Sequence, residues 1–126
     1  MKVVLDASAL IACIEAEPGG DVVAARLAKA VISSVNYSEV IARMIVGGLP
    51  AGHAVRIVEL LDLDIVDFDA QQGREAAALI LKTKQSGLSL GDRACLALGI
   101  KLGCPVLTAD RAWAAVSVGV KVELIR

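Results

Sequence analysis

Four carboxylates stand where acid and metal chemistry could use them: Asp6, Glu39, Asp92 and Asp110. Asp6 follows directly on the apolar run Val3-Val4-Leu5, although Asp is poorly suited to a strand and rarely buried without a partner. Asp110 lies two residues beyond "PVLT", in "VLTADRAW". Glu39 interrupts the otherwise apolar "YSEVIARMIV", and Asp92 comes three residues after Ser89, ahead of a long apolar stretch. Each has a structural explanation when taken singly. Asp6 reads as a helix N-cap, Glu39 as part of a solvated face, Asp92 as a partner of the helix macrodipole and Asp110 as a turn residue. The set reads differently. Four close negative charges raise one another's pKa unless a cation joins them. Hard oxygen ligands select Mg²⁺, with Mn²⁺ as its substitute. Such a site suits in-line hydrolysis of a phosphodiester, where metal activates water, bridges the phosphate and stabilises the leaving oxygen.

The elements carrying these residues must end in one place. Five short apolar runs read as strands: "VVL" (3–5), "AVIS" (30–33), "LDIVDF" (63–68), "PVLT" (105–108) and "KVELI" (121–125). Between them lie helical patterns with start and stop signals. "DASALIACIEAE" is stopped by Pro18-Gly19-Gly20, and Asp21 caps a second helix through about Ala30. Ser34 caps "SVNYSEVIARMIVGG", and Leu49-Pro50 opens "AGHAVRIVELLD". Asp69 caps one long helix, "AQQGREAAALILKTKQS", closed at Gly87, and Ser89 starts "LGDRACLALGIKLG", which stops at Gly103. "ADRAWAAV" is a short helical turn. Strands alternating with helices, and nearly continuous in Val, Leu and Ile, indicate a parallel sheet covered on both faces. The expectation is a three-layer α/β/α sandwich forming a single domain over residues 1–126. Ligands of such sheets bind beyond the carboxyl ends of the strands, at a topological switch point. Asp6 and Asp110 share that edge if the first and fourth strands are neighbours.

Composition narrows the function classes. With 126 residues, 56% of them hydrophobic, the chain can bury a core without staples. Aromatics are only 2%, so the stacking platforms of single-strand binders are nearly absent. A net charge of -1 argues against a general basic clamp for nucleic acid, though not against a local one. Cys13, Cys95 and Cys104 are an odd three without paired spacing, which reads as buried thiols rather than disulfides or a zinc site. No signal peptide is visible and no apolar run nears the roughly 20 residues that span a bilayer. A cytoplasmic setting with no membrane partner is therefore expected. Trp113 reads as a packing residue and His53 as a surface one.

"VVLDASAL", "ISSVNYSEV", "LSLGDRACLALG" and "VLTADRAW" together resemble the successive motifs of PIN-domain ribonucleases, especially the VapC-like toxins of toxin–antitoxin pairs. The likeness runs over nearly the whole chain, in the family's order, and includes "EPGG" after the first helix. It implies a five-stranded parallel sheet, Mg²⁺-dependent cleavage of RNA, a homodimer and a cognate antitoxin as partner. On the same grounds Asp6 and Asp92 match the principal metal ligands, Glu39 the acid of the second motif, and Asp110 the acid after the fourth strand. Thr108 matches the hydroxyl beside that acid. Ser8 matches the small polar residue that orients the first aspartate or contacts phosphate. The further acid that some relatives carry just after "TAD" has no counterpart, since Trp113 follows Arg111-Ala112.

An acidic pocket repels RNA unless cations compensate. Arg93 and Arg111 adjoin Asp92 and Asp110, Arg43 lies one helical turn beyond Glu39, and all three are candidate phosphate contacts, because guanidinium forks suit phosphate oxygens. The plainer alternative is that they pair with neighbouring carboxylates. Three other functions compete. A receiver-like phosphoacceptor needs an acidic pair after the first strand and a Lys after the fifth, both lacking here. A DNA-directed or structure-selective nuclease would use the same acids. A non-catalytic PIN-like module for dimerisation or RNA binding would usually have lost them. The apolar runs "LIACI" and "VIARMIV" either pack on the sheet or serve in part as a dimer interface.

Overall fold

A computed structural model describes all residues 1–126. The chain runs β1 (Val3–Leu5), α1 (Ala7–Ile14), α2 (Gly20–Ala24), β2 (Ala30–Ser33), α3 (Ser34–Val46) and α4 (Ala51–Leu60). It continues through β3 (Asp64–Val66), α5 (Ala70–Ala78), α6 (Ile80–Thr83), α7 (Leu90–Leu102), β4 (Val106–Thr108) and β5 (Val122–Leu124). All five strands are parallel, in the order β3-β2-β1-β4-β5. The chain builds outward from β1 in one direction and then resumes on its other side with β4. The switch point therefore lies between β1 and β4, where Leu5 is in register with Leu107.

Alternation along β1 sorts the core into two layers. Val3 and Leu5 face a cluster with Leu10, Val23, Ile32, Val40, Met44, Ala54 and Val58, under α1 to α4. Val4 faces the opposite cluster with Ala76, Cys95, Leu96, Leu98, Val106 and Trp113, under α5, α7 and the 3-10 turn Arg111–Ala115. Helices thus cover both faces, as the three-layer α/β/α expectation required. Trp113 is wholly buried, Cys95 and Cys104 are buried, Cys13 is half-buried and all three thiols are free. Leu10, Ile11 and Ala12 of "LIACI" pack inside, while Ile45 and Val46 at the end of "VIARMIV" are exposed. No helix is long and apolar enough to cross a membrane.

Several boundaries depart from the sequence reading, each for a local reason. The helix expected to begin at an Asp21 cap begins at Gly20, because Gly19 takes the left-handed φ of +88° as its cap residue and Asp21 falls in the first turn. It ends at Ala24, and the 3-10 turn Leu27–Lys29 returns the chain to β2. Ser33 rather than Ser34 caps α3 by accepting the Val35 amide. The Ser34 hydroxyl instead accepts the Phe68 amide and ties down the segment after β3. The long helix expected after Asp69 is cut into α5, α6 and a 3-10 turn. There the buried Thr83 hydroxyl donates back to the Leu79 carbonyl at 3.0 Å, a bond that competes with the helix ladder.

Gly20 sets how closely α2 approaches α1. A Cβ at this position would lie 2.2 Å from the Ala12 carbonyl oxygen, a backbone atom with no freedom to swing aside. Ala normally favours a helix over Gly, but Gly20→Ala is expected to destabilise the fold by about 1–3 kcal/mol through overpacking. Urea unfolding checks it; an unchanged or raised midpoint would show that α2 does not need the close approach.

Candidate functional site

At the carboxyl ends of β1 and β4 a cavity of about 330 Å³ opens, lined by Asp6, Ser8, Glu39, Asp92, Asp110 and Arg43. All four predicted acids thus meet there. Asp6 forms the floor at 4% exposure, Asp92 is half-buried, and Glu39 and Asp110 stand exposed at the rim. No three His, Cys, Asp or Glu side chains converge closely enough to grip a single ion as they stand.

Asp6 is held from α1 and from β4. Its Oδ1 accepts the Ala9 amide at 2.8 Å as the N-cap of α1. Its Oδ2 accepts the Thr108 hydroxyl at 2.6 Å. The Ser8 hydroxyl sits 2.8 Å from both oxygens and itself accepts the Ala109 amide at 2.9 Å. Thr108 Oγ1 in turn accepts the Asp110 amide at 3.0 Å. Burial pushes the Asp6 carboxyl up to about 6 against these three donors, and the charge of Asp92 adds to the rise.

The other three acids are each fixed by a donor from their own segment. Asp92 Oδ2 accepts the Ser89 amide at 2.9 Å, completing a capping box with the Ser89 hydroxyl. Asp110 Oδ1 accepts the Ala112 amide and caps the 3-10 turn. Glu39 Oε1 accepts the Asn36 side-chain amide at 2.8 Å. In each of these three the second carboxylate oxygen takes no protein donor. Asp6 has three donors for about four lone-pair directions, so it too keeps acceptor capacity. The donor set is hard, anionic and oriented, which fits a divalent cation. Below it lies Cys95, buried and inert, its thiol pushed well up by burial and by the charges of Asp6, Asp92 and Glu39. Thiolate chemistry has no place in this cavity.

The three arginines separate. Arg43 lines the cavity one turn beyond Glu39 and takes part in none of the protein's four ion pairs. Arg111 is exposed beside Asp110 but outside the lining. Arg93 turns away: its Nη1 donates to the Ala76 carbonyl at 3.1 Å on α5, so it packs the far layer instead of facing a phosphate. Its position next to Asp92 in sequence misleads, because successive residues of a helix point about 100° apart. Two residues at the site escaped sequence reading. Asn36 is buried under Glu39, and Gly91 precedes Asp92 with its backbone against the Glu39 carboxylate. A polar residue one turn before an acid, on an otherwise apolar helix face, was the available signal for Asn36.

The PIN domain model matches residues 3–119. The chain belongs to the PIN-domain family. Proteins of this family are generally nucleases that use divalent metal ions. Among curated protein sequences no relative was found. Among solved structures, a chain of VapBC from Salmonella typhimurium, in a DNA-bound complex, shares the PIN fold with a TM-score of 0.77 and 20% identity, covering 100% of this chain and 99% of that one. VapBC2 from Rickettsia felis, bound to a promoter DNA fragment, matches with a TM-score of 0.74 and 18% identity over 98% of each chain. VapBC-5 from Mycobacterium tuberculosis, a member of a family of toxin–antitoxin systems, matches with 0.64 and 22% identity over 100% of this chain and 99% of that one.

The raised Asp6 carboxyl carries a stability cost with a definite sign. Its proton leaves the unfolded chain near 3.8 but the folded protein only near 6. Stability is therefore full below pH 4 for this group and is lost as pH rises through 6, by about 3 kcal/mol at neutral pH. In metal-free protein, Asp6→Asn is expected to raise the urea midpoint at pH 7.5 and to leave it little changed at pH 4. Equal shifts at both pH values would show that burial does not perturb Asp6.

Proposed function

We propose that this PIN domain is a divalent-metal-dependent ribonuclease, acting as the toxin of a toxin–antitoxin pair. The observation that carries the reading is the convergence of Asp6, Glu39, Asp92 and Asp110 on one cavity at the switch point, with Arg43 beside them. Asp6 and Asp92 would be the principal ligands of Mg²⁺ or Mn²⁺, with Glu39 and Asp110 completing the acidic set. When bound, the cation would neutralise the carboxylates and activate water for in-line attack on a phosphodiester.

The chain's own residues supply position and charge. Ser8 and Thr108 fix Asp6 with one lone-pair direction left to the cavity. Arg43, free of protein ion pairs, would hold a phosphate oxygen at the rim, and Arg111 is a second contact outside it. With aromatics so scarce, the RNA would be held by phosphate and metal rather than by stacking. The toxin role, an antitoxin as partner, a homodimer and action in the cytoplasm belong to the same proposal. The likeness in fold to VapBC proteins supports the first two.

The test is cleavage of a panel of defined RNAs by the pure protein with Mg²⁺, with Mn²⁺ and with EDTA. Cutting is expected with either metal and not with EDTA, and Asp6→Asn and Asp92→Asn should abolish it while folding normally. Arg43→Ala should raise KM about tenfold with a smaller effect on kcat, the value of roughly one charge-assisted contact. Metal-independent cutting, or wild-type rates in either Asn variant, would sink the carboxylate–metal reading. Uptake of Mn²⁺ without cleavage of any RNA would favour a binding module.

A further inference from the structure

Asn36 is the one buried polar side chain on α3 that reaches two elements at once. Its Nδ2 donates to Glu39 Oε1 at 2.8 Å and to the Gly91 carbonyl at 3.0 Å. Glu39 belongs to α3, whereas Gly91 is in the first turn of α7, immediately before Asp92. Both protons of one amide therefore tie the acid of one helix to the residue beside the acid of another. The amide orientation follows from its neighbours. Reversed, it would set Oδ1 against a carboxylate and a carbonyl, three acceptors with no proton between them.

That orientation has a cost. Asn36 is 1% exposed, and its Oδ1 is buried without a partner. Buried acceptors are almost always satisfied, so an exception calls for a reason. A simple tie between helices does not provide one, since an apolar side chain could fill the seam with no unpaired atom. The second half of the arrangement is at Gly91. A Cβ there would lie 2.4 Å from Glu39 Oε2 and 2.8 Å from Oε1 and Cδ. Glu39 rests where only a bare backbone leaves room, and Asn36 holds it there.

We propose that Asn36 and the bare backbone of Gly91 form a socket that positions the Glu39 carboxylate over the first turn of α7, beside Asp92, for a shared divalent cation. Asn36 is a positioning residue, acting through Glu39. The proposal rests on the metal reading of the site and adds what sets its geometry. It also accounts for a Gly inside the first turn of a helix, where Ala would favour helix formation.

Two variants break the socket from opposite sides. Asn36→Leu removes the donor with little change in size. Gly91→Ala fills the space, and the displaced group is the free end of a flexible side chain, so the fold yields cheaply. Metal-free crystal structures of both, with Mn²⁺ titration by calorimetry beside wild type and Asp6→Asn, form the experiment. In both variants Glu39 is expected to leave its place and Mn²⁺ affinity to fall about 10- to 100-fold. The melting temperature without metal is expected to hold or rise. Should Asn36→Leu fail to fold, Gly91→Ala decides alone. A Glu39 carboxylate that stays in place, or that moves with Mn²⁺ affinity unchanged, overturns the socket. A wild type that takes up no more Mn²⁺ than Asp6→Asn overturns the metal reading instead, and the position of Glu39 in the variants still decides the socket.

Discussion

The arrangement turns on a buried carboxylate tied across two parallel strands. Asp6 ends β1, and the hydroxyls of Ser8 and Thr108 reach it from α1 and β4. Each hydroxyl accepts a backbone amide, Ala109 to Ser8 and Asp110 to Thr108, and has its own proton left for Asp6. The relay from amide to hydroxyl to carboxylate uses every donor in it. It fixes the turn after β4, and so Asp110, to the same point. Parallel pairing of Leu5 with Leu107 brings the strand ends together, and the hydroxyl relay sets how their side chains meet.

Burial makes that relay expensive in the absence of a counter-charge. Three donors do not offset the loss of water around Asp6, as its upward shift to about 6 shows. The acids are graded from floor to rim, so repulsion is greatest where the cavity is deepest and screening is weakest. A cation on the floor would relieve the largest strain first. Under the proposed metal reading, stability and function pull against each other at Asp6: the fold alone would do better with a neutral side chain there.

The sheet was legible in the sequence because short runs of Val, Leu and Ile bounded by Gly, Pro and Asp have few other readings. The shared edge of Asp6 and Asp110 followed from strand order. Helix starts were less legible. The sequence reading put the cap of α3 at Ser34, and backbone geometry puts it one residue earlier, at Ser33. The break at Thr83 depends on a hydroxyl turning inward, which periodicity does not register. Asn36 and Gly91 were missed for a different reason. Their contact exists only between α3 and α7: a polar residue one turn before Glu39 hinted at Asn36, but nothing within α7 announces Gly91. Arg93 shows the converse, since adjacency to Asp92 along the chain placed it on the wrong side of α7.

In the sequence each acid has a structural reading (cap, solvated face, dipole partner or turn residue) beside a site reading, and the geometry makes the two compatible. Asp6 caps α1, Asp92 completes the capping box of α7 and Asp110 caps the turn after β4, each with a single oxygen. A carboxylate has a second oxygen, and local capping fixes where it points. Capping therefore orients each of these carboxylates at the same time as it starts an element, and ordinary helix-initiation chemistry assembles an acidic cavity from three separate segments. Glu39, in mid-helix, has no orphan amide to cap. Its one protein donor is instead the side-chain amide of Asn36, and its carboxylate lies in the space left at Gly91.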